Sequence, residues 1–304
     1  MPSRHAVARQ TFISPEKFPF LEVRTTLEST QPYAEHFHSA FSFGLILEGG
    51  TCFTLMGRAH EALKGDIALI APGLPHSCNP LHGRARSYRM AYLDAEWFAR
   101  RICGPLGIAS IYEVTKPVVR DPALFQQALA GLEALCRGAD AAEERFVAIF
   151  TEIQRAHGCL ANPAEQTGKK PAARAASLTV QRTDYPLATA DLLQTNSGLL
   201  AADNCHPIVE HAPVSSLARR AGVRRESFSR AFRRSAGLPP NAWLHCLRLE
   251  KARALLRQGK SISEAALAAG YADQSHFHRM FVKFYSVTPG CYQRGWSHSY
   301  NTRT

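Results

Sequence analysis

The sequence predicts a two-domain α+β protein, with short β-strands in the N-terminal half and an all-helical C-terminal part. Short apolar stretches separated by Gly and Pro occur between residues 21 and 93, which is typical of antiparallel strands. Two copies of one helical pattern lie within residues 214–293. The chain has 304 residues, 45% of them hydrophobic, and is therefore long enough for two packed cores.

The predicted strands end at turn residues such as Gly49, Gly57 and Pro72. Strands with this spacing predict a sandwich or a small barrel. They cover residues 41–47, 51–56, 67–70 and 86–93.

Apolar residues recur at helical spacing between residues 121 and 157 and predict two helices there. Residues 158–183 are rich in Ala, Pro, Lys, Gly and Thr, which is typical of a flexible linker, and a short helix could follow near 187–193. We therefore divide the chain into an N-terminal domain at 1–157, a linker at 158–206 and a C-terminal domain at 207–304.

The net positive charge of the chain arises entirely in its C-terminal part. Residues 208–304 hold 16 of the 36 basic residues but only 5 of the 25 acidic ones, so they account for the whole net charge of +11. Such a surface suits the phosphate backbone of nucleic acid. The preceding residues are neutral in sum.

The repeated pattern predicts two helix-turn-helix units. In each, a small residue lets two helices approach, a Gly leaves the first helix with positive φ, and two Phe residues share one face of the second helix. The second copy has one extra residue in or next to its turn, so the two units should recognise different half-sites. The separation is 48 residues before the turn and 49 after it, for Ala218 and Ala266, Gly222 and Gly270, Phe228 and Phe277, and Phe232 and Phe281.

The segments FSRAF at 228–232, RLEKA at 248–252 and GYADQSHF at 270–277 carry a family resemblance. With Thr288-Pro289 and the YQR segment at 292–294, they resemble the AraC/XylS-type bacterial transcription regulators. The resemblance implies that the second helix of each unit enters the major groove of double-stranded promoter DNA. It also favours an activator that contacts RNA polymerase, and it leaves repression open as the alternative.

The two recognition helices are predicted at about residues 225–235 and 273–284. Their side chains suit base recognition, because Arg can bind guanine, Gln can bind adenine and Glu accepts from cytosine. Arg233 and Lys283 are expected on phosphates, which fix position without specifying sequence. The predicted DNA-binding residues are Arg225, Glu226, Ser229, Arg230, Arg233, Gln274, Ser275, His278, Arg279 and Lys283.

Four landmarks in the N-terminal part resemble the cupin-type sensor half of the same regulators: HFH at 36–38, EGG at 48–50, GD at 65–66 and PGLPH at 72–76. This resemblance implies a cupin-like β-barrel with helices that binds a small-molecule effector. The predicted effector-binding residues are His36, His38, Glu48 and His76.

The three histidines also raise a metal hypothesis, because imidazole is a frequent ligand of transition metals. Enzymatic cupins usually add a Glu a few residues after the His-x-His motif, whereas residues 39–43 read SAFSF here. Three alternatives stay open: a metal-free pocket, which we favour, a metal site, and histidines that only make hydrogen bonds at strand ends. We expect no cofactor and no catalysis; the alternative function is a metal-dependent cupin enzyme fused to a DNA-binding tail.

The helices between residues 121 and 157 either cap the barrel or form the contact of a homodimer, as their equivalents do in similar regulators. The eight cysteines are scattered without the spacing of a metal finger, which fits a reducing compartment. No signal peptide and no 18-residue apolar run is seen, so a cytoplasmic protein without membrane contact is expected.

Overall fold

A computed structural model describes residues 9–55, 57–108, 111, 114–160 and 213–300. The predicted linker lies outside the described residues except for 158–160, and so does the short helix expected near 187–193. The two-domain α+β architecture is confirmed, with strands followed by helices along the chain.

The strands of the N-terminal domain form two antiparallel sheets. In the larger sheet the order is β1-β2-β8-β3-β6-β9, and in the smaller sheet it is β5-β4-β7. The strands are β1 (Arg9–Ile13), β2 (Leu21–Ser29), β3 (Phe41–Glu48), β4 (Gly50–Leu55), β5 (Arg58–Leu63), β6 (Ile67–Ile70), β7 (His76–Pro80), β8 (Arg86–Leu93) and β9 (Val118–Val119).

The sheets do not close into the predicted barrel; among the described residues they form the two layers of a sandwich. The chain passes from one sheet to the other at Gly49, which has φ +71°. A Cβ atom there would lie 2.6 Å from the carbonyl oxygen of Ala85, so only glycine fits. The strands on either side of Gly49 therefore belong to different sheets.

Strand β3 is buried on both faces, because helices cover one side of the large sheet and the small sheet covers the other. Phe43 packs against Phe146 and Phe150, with ring centroids 5.7 Å and 5.8 Å apart. On the opposite face, Ile46 belongs to the core that the two sheets share with Phe53. The layers are thus helices, large sheet and small sheet.

The two predicted helices are present as α2 (Pro122–Cys136) and α3 (Ala142–His157); a one-turn helix α1 (Ala95–Phe98) precedes them. The apolar stripes of α2 and α3 face the domain's own core. These apolar stripes therefore cap the sheet, which was one of the two alternatives. They are not exposed for contact with a second copy of the chain. The buried stripe residues include Leu124, Phe125, Ala128, Leu132, Leu135, Phe146, Phe150 and Ile153.

The C-terminal part is helical throughout its described residues. The tight turns of both units confirm the glycine prediction, since Gly222 has φ +67° and Gly270 has φ +78°. No helix in the described ranges is long and apolar enough to span a membrane. The helices are α4 (Val214–Arg220), α5 (Arg225–Ala236), α6 (Pro240–Arg257), α7 (Ile262–Ala268), α8 (Gln274–Tyr285) and α9 (Pro289–Tyr300).

Candidate nucleic-acid interface and ligand cavity

Helix α5 is the second helix of the first unit, and it buries only its aromatic face. Phe228 and Phe232 are each 1% exposed, and their ring centroids lie 5.9 Å apart. The opposite face is polar, and all of its candidate side chains except the half-buried Ser229 are exposed. The exposed candidates are Arg225, Glu226, Arg230 and Arg233.

Helix α8 repeats this division in the second unit. Phe277 and Phe281 are fully buried, with ring centroids 5.5 Å apart. Asp273 caps the helix by accepting a hydrogen bond from the His276 backbone N–H at 2.7 Å. The exposed candidates are Gln274, Ser275, His278, Arg279 and Lys283.

One of these candidates has an intramolecular partner. The hydroxyl of Ser263, on α7, donates a hydrogen bond of 2.8 Å to Oε1 of Gln274. This bond orients the amide, whose NH₂ group is the donor needed for adenine N7. The structure therefore brings the polar candidates of each unit to one helix face, as the periodicity predicts.

A cavity lies between the two sheets of the N-terminal domain. Its wall contains all three candidate histidines, His36, His38 and His76, and one residue of the C-terminal domain, Tyr285.

The three histidines form a compact, buried cluster. The ring centroid of His76 lies 4.4 Å from that of His36 and 4.8 Å from that of His38. A backbone carbonyl accepts from Nδ1 of each ring: Ala34 O lies 2.7 Å from His36 Nδ1, Leu74 O lies 2.7 Å from His76 Nδ1, and Ala40 O lies 3.2 Å from His38 Nδ1. With Nδ1 protonated, each ring presents an unprotonated Nε2.

The same histidines are uncharged at neutral pH. Burial, followed by repulsion from a neighbouring histidine, lowers the pKa of His36, His38 and His76 to about 3. Their ligand atoms lie within 4.8 Å of one another, so these residues are the ones in the cavity that could hold a metal ion.

Glu48 is not brought to this cluster. It is exposed at the end of β3, where its Oε1 lies 2.6 Å from Nζ of Lys64. The position follows from the turn at Gly49, which takes the chain out of the large sheet. Glu48 is not among the residues that line the cavity.

The sequence-based prediction missed most of the cavity wall, including Arg24, Arg86 and Tyr285. Arg24 is 3% exposed and Arg86 is 1% exposed. Arginine at the inward positions of a buried strand was a signal in the sequence, because an unpaired charge is rarely buried without a role. No local pattern marked Tyr285 as a cavity residue.

Tyr285, the last residue of α8, connects the cavity with the boundary between the domains. Its hydroxyl donates a hydrogen bond of 2.9 Å to Oε1 of Glu250, and Arg253 Nη1 lies 2.8 Å from the same oxygen. The ring of Tyr285 also lies edge-on to that of His36 at 6.5 Å. The C-terminal end of the second recognition helix thus forms part of the cavity wall.

Two protein families match separate parts of the chain. The family described as AraC-like ligand binding domain matches residues 22–157, and the one described as Helix-turn-helix domain matches residues 217–295. Together they span more than half of the chain. The cavity lies within the first match and both recognition helices lie within the second.

Curated relatives are named as transcription regulators. An uncharacterized HTH-type transcriptional regulator of Bacillus subtilis is 22% identical over 253 residues, which are 81% of this chain and 82% of the relative. The RCS-specific HTH-type transcriptional activator RclR of Escherichia coli is 40% identical over 81 residues, 26% of this chain and 28% of RclR. The second match thus covers little more than a quarter of that relative's length.

Among solved structures, ToxT from Vibrio cholerae O395 has a similar fold. Its TM-score is 0.52 at 13% identity, covering 96% of this chain and 98% of ToxT. A ToxT structure with bound unsaturated fatty acid gives a TM-score of 0.54 at 12% identity, over 96% of this chain and 97% of ToxT. At such identities the likeness concerns the fold alone.

Proposed function

Since the chain belongs to the AraC family of transcription regulators, with its ligand-binding domain followed by its helix-turn-helix domain, we propose how it works. Helices α5 and α8 bind promoter DNA, and a small-molecule effector in the cavity controls that binding. The observation that carries this proposal is the place of Tyr285, which ends α8 and also lines the cavity. The alternative of a metal-dependent enzyme is not favoured, because the relatives are regulators.

In this proposal the exposed face of each recognition helix enters one major groove. Arg225, Arg230 and Arg279 are placed to bind guanine, and Gln274 to bind adenine. Arg233 and Lys283, nearer the helix ends, bind phosphates. The remaining contacts are assigned to Glu226, Ser229, Ser275 and His278.

We place the effector among His36, His38 and His76, and we leave out Glu48 because it is exposed and paired with Lys64. A ligand there contacts Tyr285 directly. It shifts DNA binding only if it prefers one arrangement of α8 over another. The unsaturated fatty acid bound to ToxT supports the idea that this fold can hold a small molecule, without naming the effector of this chain.

Three further points rest on the family alone. We propose that the protein activates transcription through contact with RNA polymerase, that it acts as a homodimer, and that it works in the cytoplasm where promoters are found. A homodimer would need a surface other than the apolar stripes of α2 and α3, since those are buried. Sedimentation of the full chain with and without DNA would measure its stoichiometry.

Selection of bound duplexes from a random DNA pool tests the DNA-binding part. We expect two different half-sites whose centres lie about 10 base pairs apart, because each helix occupies one of two successive major grooves. A bound pool without sequence enrichment would contradict the proposal.

A cavity-filling substitution tests the control by a ligand. Ala68 lines the cavity and is 3% exposed, so Ala68→Phe should block it. We expect the wild-type protein to change its affinity for the selected site when a small-molecule extract of the host cells is added. Ala68→Phe should bind the same site without that change; an unaltered response of the variant would contradict control through the cavity.

A further inference from the structure

The cavity combines two buried cations with no acidic side chain in its wall. Arg24 and Arg86 both line it and are both almost fully buried. None of the described residues that line the cavity is Asp or Glu. A buried guanidinium normally has a carboxylate partner, because removing its charge from water is costly.

Arg24 has only neutral partners among the described residues. Its Nη2 donates a hydrogen bond to the hydroxyl of Tyr33, and the guanidinium lies over the rings of Phe12 at 5.7 Å and Tyr33 at 5.2 Å. Its Nε is buried and has no hydrogen-bond partner in the described part of the chain. Burial would lower the pKa of Arg24, but the hydroxyl groups of Tyr33, Tyr88 and Tyr92 outweigh it and keep the pKa above its usual value. The group is therefore charged.

Arg86, too, has no anionic partner among the described residues. It donates to Thr51 Oγ1 at 3.1 Å, to the Cys78 carbonyl at 2.8 Å and to the Gln31 carbonyl at 3.4 Å. Its Nε too is buried without a partner among the described residues. These bonds tie β4, β7 and a loop together, so Arg86 has a structural task that Arg24 lacks.

The neighbouring histidines do not supply negative charge. The imidazoles of His36, His38 and His76 bring no negative charge to the cavity, whose described wall has two guanidinium groups and no carboxylate. The carboxylate of Glu250 is not part of this wall and is paired with Arg253, so a divalent metal ion held by the three imidazoles would meet the two guanidinium groups inside the cavity. Coulomb repulsion in a poorly solvated cavity therefore disfavours a bare cation and favours an anion.

The remaining residues of the cavity wall indicate which kind of anion would fit. Besides the arginines, the histidines and the tyrosines, the cavity wall contains apolar side chains of both sheets. A small inorganic ion would leave this apolar surface uncovered, whereas a ligand with a hydrocarbon body would bury it. The apolar residues are Ile46, Phe53, Ala68, Ile70 and Met90.

We infer that the effector is an amphipathic organic acid, whose carboxylate is bound by Arg24, with Arg86 and the tyrosine hydroxyls beside it, and whose apolar body fills the space between the sheets. The inference rests on the proposed function, because it assigns a chemical class to the effector of the same cavity. Bound carboxylate would provide the anionic partner that the guanidinium of Arg24 lacks.

Two matched pairs of ligands test the inference on the wild-type full chain. Octanoate is compared with octanamide, and 4-phenylbutanoate with 4-phenylbutanamide, by isothermal titration calorimetry at neutral pH. We expect at least one carboxylate to bind about tenfold or more tightly than its amide, since a hydrogen bond to a charged group is the stronger one. If neither carboxylate binds at millimolar concentration, or if each amide binds as well as its acid, the inference is wrong.

Variants then identify the residue responsible. Arg24→Met should weaken carboxylate binding about tenfold or more and leave amide binding unchanged, whereas Arg24→Lys should retain part of the preference. Arg84→Met, at an exposed arginine of the same domain, serves as the control and should bind as wild type does. The comparison of wild-type ligand pairs stands even if Arg24→Met does not fold.

A metal titration gives the competing result. The inference would be overturned in favour of a metal site by three results together. The wild-type protein binds ZnCl₂ alone stoichiometrically, this binding is lost in His76→Ala but kept in Arg24→Met, and no carboxylate is preferred over its amide. Binding to the selected DNA site distinguishes a failure of this inference from a failure of the proposed function. If the protein binds that site specifically and prefers no carboxylate, only the inference fails; if specific DNA binding is absent, the proposed function fails as well.

Discussion

Nη2 of Arg253 lies 2.8 Å and 2.9 Å from the two carboxylate oxygens of Glu22, 231 residues away in the chain. The pair joins α6 of the C-terminal domain to β2 of the N-terminal domain. Its side chains are 8% and 5% exposed, respectively. Arg257 Nη1, at 2.9 Å, and the Tyr292 hydroxyl, at 3.2 Å, also donate to Glu22. One carboxylate is therefore the common acceptor for three groups of the other domain.

We expect Glu22→Gln to destabilise the full chain by about 3 kcal/mol, because Arg253 would remain buried with an incomplete set of anionic partners. Chemical denaturation followed by fluorescence would measure this loss. Asp140→Asn is the matched control: Asp140 pairs with Lys17 at 2.6 Å, but its side chain is fully exposed. That change should cost far less, because a fully exposed ion pair is well solvated. Equal losses in the two variants would contradict the importance we give to burial of the Glu22 pair.

Arg230→Ala and Arg279→Ala should each weaken binding to the selected DNA site by about 1–3 kcal/mol and relax the preference at one base position. Both side chains are exposed on the polar face of a recognition helix. Competition binding with base-substituted duplexes would measure both effects. Arg84→Ala, at an exposed arginine outside the recognition helices, should change neither. Were either variant to weaken cognate and random DNA equally, its assignment would move from base to phosphate.

The stability of the C-terminal domain should fall as the pH decreases from about 6.5 to about 4, in part because of His245. Burial, together with the charges of Arg248, His276 and Lys283, lowers the pKa of His245 to about 4 in the folded state. The unfolded state therefore binds the proton first and gains population as the pH falls. Thermal melts across this range should show a smaller slope for His245→Asn than for wild type. His278→Asn, at an exposed histidine of the same domain, is the matched control variant.

Asp273→Ala should destabilise the chain by about 1 kcal/mol, because the backbone N–H of His276 loses its cap acceptor. Ser275→Ala, on the same helical turn but with an exposed side chain, is a suitable control. Since α8 presents half of the proposed DNA contacts, Asp273→Ala should also reduce DNA affinity. A loss of affinity without any loss of stability would instead indicate that Asp273 acts at the DNA itself.

A fragment of residues 207–304 should fold and bind the selected DNA site, but it should be less stable than the same domain in the full chain. The fragment lacks Phe12, whose ring lies 5.0 Å from that of Tyr292, and Phe37, which lies 5.8 Å from Trp243. It also exposes Arg253 without Glu22. Circular dichroism and DNA titration would measure both properties. An insoluble fragment, or one that does not bind DNA, would contradict the predicted boundary at 207.

The helices and their faces could be predicted because the signal is local. The spacing of Phe228 and Phe232, and of Phe277 and Phe281, fixes which side of each recognition helix is buried, and the turns need Gly222 and Gly270 for their positive φ. The three histidines were singled out by the family resemblance and not by a local period. The fold brings them together, and an isolated bridge pairs His36 with His76.

Other expectations failed where packing between distant elements decides. The strand pattern allowed a sandwich or a small barrel, and the family resemblance implied a barrel; the crossing at Gly49 separates the strands into two sheets, so the sandwich is observed. Glu48 was expected in the pocket, and the same crossing leaves it exposed beside Lys64. The apolar stripes of α2 and α3 were compatible both with a dimer contact and with capping of the sheet. Periodicity predicts which face of a helix is buried, but it does not predict what covers that face.

By itself the sequence determined the two-domain order, the confinement of positive charge to the C-terminal part, and the polar faces of the two recognition helices. These follow from composition and from repeats of a few residues. Only the tertiary structure decided that Glu22 contacts Arg253, that Arg24 and Arg86 line one cavity with no acidic side chain among the described residues of its wall, and that Tyr285 lines the same cavity. Such contacts join residues far apart in the chain, and no local period of the sequence encodes their distance.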